Sequence, residues 1–179
     1  MKLHIGCGER YLPGYKHYDG RNVGEHIDYV GEADDLSMFE DNSLEEIYAC
    51  HLLEHFGRHD VDRVLKIWYT KIMGGGGILR IAVPDFASII KAYEKFHDME
   101  KIMGLLYGGQ NYEYNYHHVG FDFNYLKQKL ENIGFTDIKR YDWKEFLPEG
   151  YDDFSRAYLP HMDIENGILM SLNIIAKKI

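Results

Sequence analysis

Two short stretches of this chain hold side chains whose types and spacing could do chemistry. The first, Leu3 to Gly20, reads LHIGCGERYLPGYKHYDG: an apolar strand runs into Gly6-x-Gly8, and a second short strand ends in Asp19. Glycines at such a turn let a ligand approach the backbone, and the peptide N–H groups of the turn can face an anionic group. Asp19, at the carboxyl end of the next strand, is a residue type that accepts hydrogen bonds from both hydroxyls of a ribose. Without further context the same residues make only a tight turn and a solvated aspartate. The second stretch, His51-Leu-Leu-Glu54-His55, satisfies H-x-x-E-H, the pattern in which two histidines bind zinc and the glutamate activates water, with Glu131 as a distant candidate for a third ligand. That is the chemistry of a zinc hydrolase, but its context is wrong. The histidines need a helix to share a face, whereas His51 follows the strand-like IYAC and Gly57 comes soon after His55.

The glycine turn supports a nucleoside rather than a dinucleotide. A dinucleotide fingerprint needs a third glycine opening a long helix and an acid about 20 residues further on. Here Tyr11 stands at the third glycine position, Pro13 and Gly14 interrupt any helix, and Asp19 follows too soon. Gly74–Gly77 lacks the Lys-Ser or Lys-Thr of a phosphate loop and leads from a helix into a strand, the wrong polarity; it is a permissive turn.

The elements that must position these residues alternate along the chain. Strands are expected at Lys2–Ile5, Lys16–Tyr18, His26–Val30, Glu45–Cys50, Gly77–Val83, Asp137–Trp143 and Ser171–Lys177. Between them Val61, Val64, Leu65, Ile67 and Trp68 share one face of a helix that stops before Gly74. A second helix starts after Pro84, with Asp85 near its N-terminus and Ile89, Ile90 and Tyr93 facing inward. A third, Tyr125 to Ile133, ends at Gly134 as a left-handed cap.

Length and charge bound the function. A chain of 179 residues is most simply one domain, 1–179, with a genuine core. The formal charge of −9, from 29 acids against 20 Lys and Arg, comes without a basic block and speaks against a nucleic-acid partner. No apolar run reaches membrane-spanning length and no signal peptide is legible, so the expectation is a soluble cytoplasmic protein without a membrane partner. Cys7 and Cys50 lack metal spacing and read as buried thiols.

The order LHIGCG, HYDG, DNSLEEIYACHLLEHF, a helix, then MGGGGILRIAVPD resembles the class I S-adenosylmethionine-dependent methyltransferases, in particular small bacterial and phage members similar to enzymes of polysaccharide and small-molecule biosynthesis. The likeness extends through YNYHHVGFD, ENIGF and SRAYLPHMDIENGILMSLNIIAKK. It implies a single-domain, Rossmann-like α/β fold: a mostly parallel seven-stranded sheet with one antiparallel strand, here with the first helix reduced or absent. It further implies that Gly6, Cys7 and Gly8 form the loop under the methionine part of S-adenosylmethionine, and that Asp19 holds the ribose. Adenine would be met just after the third strand by an acid and a following backbone N–H. GEADDL offers Glu32, Ala33, Asp34, Asp35 and Leu36 for that role, in a register left open. Cys50, His51 and Leu52 would line the cofactor from the opposite side. The chain departs from the family at His4, where many members carry an acid, and at Arg10, where a third glycine often stands.

Methyl transfer needs alignment of a nucleophile in line with the sulfonium methyl, exclusion of water and, for a hydroxyl or protonated amine, a general base; it needs no metal. Histidine suits that base at neutral pH. The candidates are His51, at a strand's carboxyl end, and His118, with His55 and His117 beside them. His51 could equally cap the following turn, and His55 more simply orders the loop. Tyr112–Phe123, reading YEYNYHHVGFDF, is either a substrate lid or a set of core anchors on a long connection. The expected activity is methylation of a hydroxyl or amine on a sugar or metabolite, with a non-catalytic nucleoside-binding protein as the alternative. Acceptor identity and oligomeric state are not encoded in these motifs.

Overall fold

The most apolar runs of the chain become its innermost strands. The computed structural model describes residues 1–179. Strands β1 (Lys2–Ile5), β2 (Lys16–Asp19), β3 (Tyr29–Val30), β4 (Glu46–Cys50) and β5 (Gly77–Pro84) are followed by β6 (Thr136–Arg140), the short pair β7 (Tyr158–Leu159) and β8 (Ile168–Leu169), and β9 (Ser171–Lys178). Seven of them form one sheet in the order β3-β2-β1-β4-β5-β9-β6. All its neighbours are parallel except β9, which runs antiparallel to both β5 and β6. β7 and β8 make a separate antiparallel ribbon. The strand order reverses between β1 and β4, and the crevice beyond the carboxyl ends of strands at such a reversal is where open α/β sheets bind ligands.

Four helices complete the fold: α1 (Val61–Lys71), α2 (Phe86–Phe96), α3 (Glu100–Tyr107) and α4 (Phe123–Ile133). Asp85 caps α2 by accepting from the Ala87 N–H, and Asp122 caps α4 by accepting from the Tyr125 N–H. α4 ends at Gly134, with φ +119, in the left-handed region that favours glycine. Val61, Val64, Leu65 and Trp68 of α1 pack with Leu126 and Leu130 of α4 onto β1, β4 and β5 in one buried cluster.

No helix forms between β1 and β2, as expected; turns span Gly6 to Tyr15 and bury Leu12. Several expected boundaries shift. The third strand shrinks to Tyr29–Val30 because Asp28 spends its side chain on the His17 N–H and the Lys16 ammonium. β6 stops at Arg140 after an irregular register, and Trp143 opens a 3₁₀ turn. On α2 Ile89 and Ala92 face inward, while Ile90 and Tyr93, expected to do so, lie open to solvent. Helix α3 was not expected. No helix is long and apolar enough to cross a membrane. Both cysteines are free and buried.

Candidate functional site

A cavity of about 860 Å³ opens at the β1/β4 switch point. Its size falls within the roughly 300–1,000 Å³ of small-molecule sites. One wall is built by the glycine turn. Gly6 and Gly8 have φ of +65 and +57, and a Cβ on Gly6 would sit 2.8 Å from both Leu52 methyls, so glycine is what lets the β1 loop pass under the residues after β4. The Gly6 N–H donates to the Tyr18 carbonyl at 2.8 Å and the Gly8 N–H to Asp19 Oδ2 at 2.8 Å. These donors therefore pin the loop to β2 rather than face an anion. Asp19 Oδ1 accepts from the Arg21 N–H at 2.9 Å. Each carboxylate oxygen thus keeps a lone pair for the cavity that Asp19 lines.

The floor comes from the segment after β3. Trp68 Nε1–H donates to the Ala33 carbonyl at 2.8 Å, and the Tyr18 hydroxyl lies 2.8 Å from the Asp35 carbonyl and 3.0 Å from that of Glu32. Two buried aromatic side chains so fix the backbone that brings Gly31, Glu32 and Ala33 to the cavity. The next three residues turn away. Asp34 pairs with Arg63 at 2.8 Å, Asp35 caps the Ser37 N–H at 3.0 Å, and Leu36 is buried in the core. Cys7 likewise lies outside the cavity lining, buried beneath the loop, its thiol pushed up to about 12 by burial and the Asp19 charge. Of the expected cofactor residues, then, Gly6, Gly8, Asp19, Ala33, Cys50 and His51 meet at one cavity, while Cys7, Asp34, Asp35 and Leu36 do not.

Beneath the glycine loop lies a layer of imidazoles. His26 Nε2 bonds the Gly8 carbonyl at 2.9 Å, and the Leu12 N–H donates to His17 Nε2 at 2.8 Å. His4, where the family expectation was an acid, is 1% exposed. Burial first, then the neighbouring His17 and Arg10, lowers its pKa to about 3. Arg10 lines the cavity, held by Asp152 O at 3.1 Å and by the Phe154 ring. Sequence reading gave Arg10 no role, because its spacing marked only a missing glycine.

The opposite wall follows β4. His51, with φ +50, sits in the sparsely used left-handed region, a strained placement that recurs at functional sites. Asn173 Nδ2 donates to the Ser155 carbonyl, leaving its Oδ1 to accept from Ser171 Oγ–H; the Ser171 oxygen then accepts from His51 Nε2–H at 3.1 Å. The unprotonated Nδ1 of His51 thereby faces Glu54 Oε1 at 3.4 Å. Burial lowers His51 to about 3, with His117 and His55 adding to the effect, and burial raises Glu54 to about 8. At neutral pH this imidazole is uncharged and able to accept a proton, but it is a weaker base than its residue type implies.

The aromatic segment folds across the mouth. Tyr112, Tyr114, His117 and His118 line the cavity, and Arg21 stacks on the Tyr112 ring at 4.7 Å. Of its aromatics Phe121 alone is fully buried, while Tyr112, Tyr114 and Tyr116 stay exposed, so the segment is a rim with one anchor rather than a set of core anchors. His118 is solvent-exposed at this rim, with its N–H on the Glu54 carbonyl at 2.8 Å. The H-x-x-E-H pattern does not form its expected zinc set. His51 is not helical, residues Leu53–His55 make a single 3₁₀ turn, and Glu131 lies exposed on α4 beside Lys127. Glu54, His55 and His117 converge instead.

Sheet order, antiparallel β9 and crevice together define the class I methyltransferase fold. Among solved structures the chain is similar to a SAM-dependent methyltransferase from Archaeoglobus fulgidus, at 19% identity over 99% of this chain and 85% of that one, TM-score 0.61. It is similar also to a SAM-dependent methyltransferase, possible histamine N-methyltransferase, from Thermotoga maritima, at 18% identity over 99% and 82%, TM-score 0.60. A third, a SAM-dependent methyltransferase from Methanosarcina mazei, matches at 17% identity over 99% and 92%, TM-score 0.57. No protein-family model and no curated protein matches the sequence.

Proposed function

We propose that the protein is an S-adenosylmethionine-dependent methyltransferase acting on a small molecule that carries a hydroxyl or amine. The observation that carries this reading is Asp19: a carboxylate at the end of β2, fixed by two backbone N–H groups, with a free lone pair on each oxygen beside the glycine turn. That arrangement suits the two hydroxyls of a ribose. Glu32 and the Ala33 backbone are placed for an adenine edge, and Arg10 supplies a cation for an amino-acid carboxylate at the other end.

Bound there, the cofactor supplies a methyl group already activated on a sulfonium. The chain's own task is to align the acceptor and keep water out, and the tyrosine rim of residues 112–118 is positioned for both. His51 Nδ1 and the His118 ring are the bases proposed to take the acceptor's proton. A cavity of this size, closed by side chains rather than by a basic groove, favours a metabolite over a nucleic acid.

The test is thermal denaturation with S-adenosylhomocysteine. A ligand at 100 times its Kd stabilises the folded state by about 2.7 kcal/mol, so wild type should show a clear rise in melting temperature and Asp19→Ala should lose most of it. An equal rise in both would remove Asp19 from the site. Binding without methylated product, after incubation with labelled cofactor and broad metabolite extracts, would make the chain a nucleoside-binding protein instead.

A further inference from the structure

The acceptor end of the cavity holds three side chains, Glu54, His55 and His117, that turn unused hydrogen-bonding atoms toward one another. Glu54 is completely buried, and neither of its carboxylate oxygens has a hydrogen-bond partner. A buried carboxylate left this way is costly, and folded proteins avoid it unless something else fills the place. The two histidines beside it do not help. His55 Nδ1 lies 3.0 Å from the Tyr116 carbonyl, and His117 Nδ1 lies 2.9 Å from the Leu105 carbonyl. A carbonyl only accepts, so both Nδ1 atoms carry the proton and both Nε2 atoms present bare lone pairs. His117 Nε2 is 3.9 Å from Glu54 Oε1, and the His55 and His117 rings meet at 5.0 Å, edge to face. One ligand atom from each of the three residues falls within 4.8 Å of the other two.

Imidazoles tied back by Nδ1–H to backbone carbonyls, with Nε2 free, are arranged as metal-ligating histidines are. We propose that Glu54, His55 and His117 bind one divalent first-row transition-metal ion, such as zinc, manganese or iron(II), at the acceptor end of the cavity. Two imidazoles and one carboxylate select this class over magnesium or calcium, which take oxygen ligands. Donors about 2.1 Å from a shared tetrahedral ion lie about 3.4 Å apart, so side-chain adjustments of about an ångström close the set. His55 and His117 belong to the cavity lining, so an ion with three protein ligands keeps a coordination position toward the bound acceptor. An acceptor oxygen placed there loses its proton more readily and is held in line for attack, which makes hydroxyl-bearing acceptors the favoured substrate class. This last role rests on the methyltransferase reading; the ion site does not.

Cobalt(II) is the probe, because its d–d absorption reports coordination by nitrogen and oxygen directly. Protein stripped with chelator should take up one equivalent with a visible band, and zinc should displace it. His117→Ala and Glu54→Gln should each weaken uptake by more than the roughly 10–100-fold that losing an outer partner of a metal ligand costs. Glu54→Gln adds donors to a nest of acceptors, so it should fold, and the S-adenosylhomocysteine-induced rise in melting temperature verifies that each variant does. Wild-type protein that folds but takes up neither cobalt nor zinc, or variants that bind both as tightly as wild type, would overturn the site. Magnesium-only binding would overturn the metal class. Cobalt uptake in a protein that ignores S-adenosylhomocysteine would keep the site and sink the methyl-transfer reading instead.

Discussion

The two walls of the cavity are built on opposite principles. On the β1–β3 side the groups that face the crevice are braced by backbone and aromatic partners: Asp19 by Gly8 and Arg21, the Ala33 carbonyl by Trp68, the Glu32 backbone by Tyr18. On the β4 side the Glu54 carboxyl is left unpartnered and His51 sits in left-handed backbone. On the proposed reading the braced wall recognises one rigid ligand, and the β4 wall spends stability to keep reactive groups available. Binding and chemistry should therefore separate under mutation.

The sharpest break is His51→Ala. Losing a general base costs about 10²–10⁴-fold, so turnover of an acceptor identified by labelled methyl transfer should fall by that much, with the S-adenosylhomocysteine-induced melting shift unchanged. Loss of both together would show that the walls are one unit. Next comes the imidazole layer under the glycine loop. His4 is held neutral far below its usual pKa, so the unfolded chain binds more protons as acid is added, and stability falls as pH drops from about 6.5 toward 3. The slope is about 1.4 kcal/mol per pH unit from this group alone, measurable by urea unfolding, and His4→Phe should flatten it. Cofactor binding should weaken as acid protonates His17, whose pKa burial lowers and whose Nε2 accepts from the Leu12 N–H of the loop. Gly6→Ala is the smallest change, about 1–3 kcal/mol of strain from a Cβ at positive φ against Leu52. It should lower the melting temperature and the affinity for S-adenosylhomocysteine together, and an unaltered affinity would detach the loop from the site.

The braced wall was largely legible in the sequence and the unsatisfied wall was not. Gly6, Gly8 and Asp19 announce themselves because a local spacing carries their geometry, and LHI, IYAC and GILRIAV are apolar enough to be buried strands in any reading. GEADDL could not be placed because its register depends on Trp68 and Tyr18, which reach it from α1 and β2. Ile90 and Tyr93 fit an inward helical face by spacing, yet no element covers that side of α2. The H-x-x-E-H stretch suggested a local helix-borne set. What the fold delivers is Glu54 and His55 joined by His117 from a distant connection, a juxtaposition that no spacing encodes.

The placement of β9 carries a consequence for how the molecule comes into being. Strand β9, the last of this sheet in chain order, inserts between β5 and β6 rather than adding to an edge, and it carries Ser171 and Asn173, which decide where the His51 proton resides. A nascent chain short of residue 171 has β5 as a raw edge, β6 without a neighbour and His51 without its tautomer. It is exposed to edge-to-edge aggregation and has an unfinished β4 wall. Completion of the sheet and completion of the β4 wall are therefore the same event, slow in the manner of long-range strand pairing.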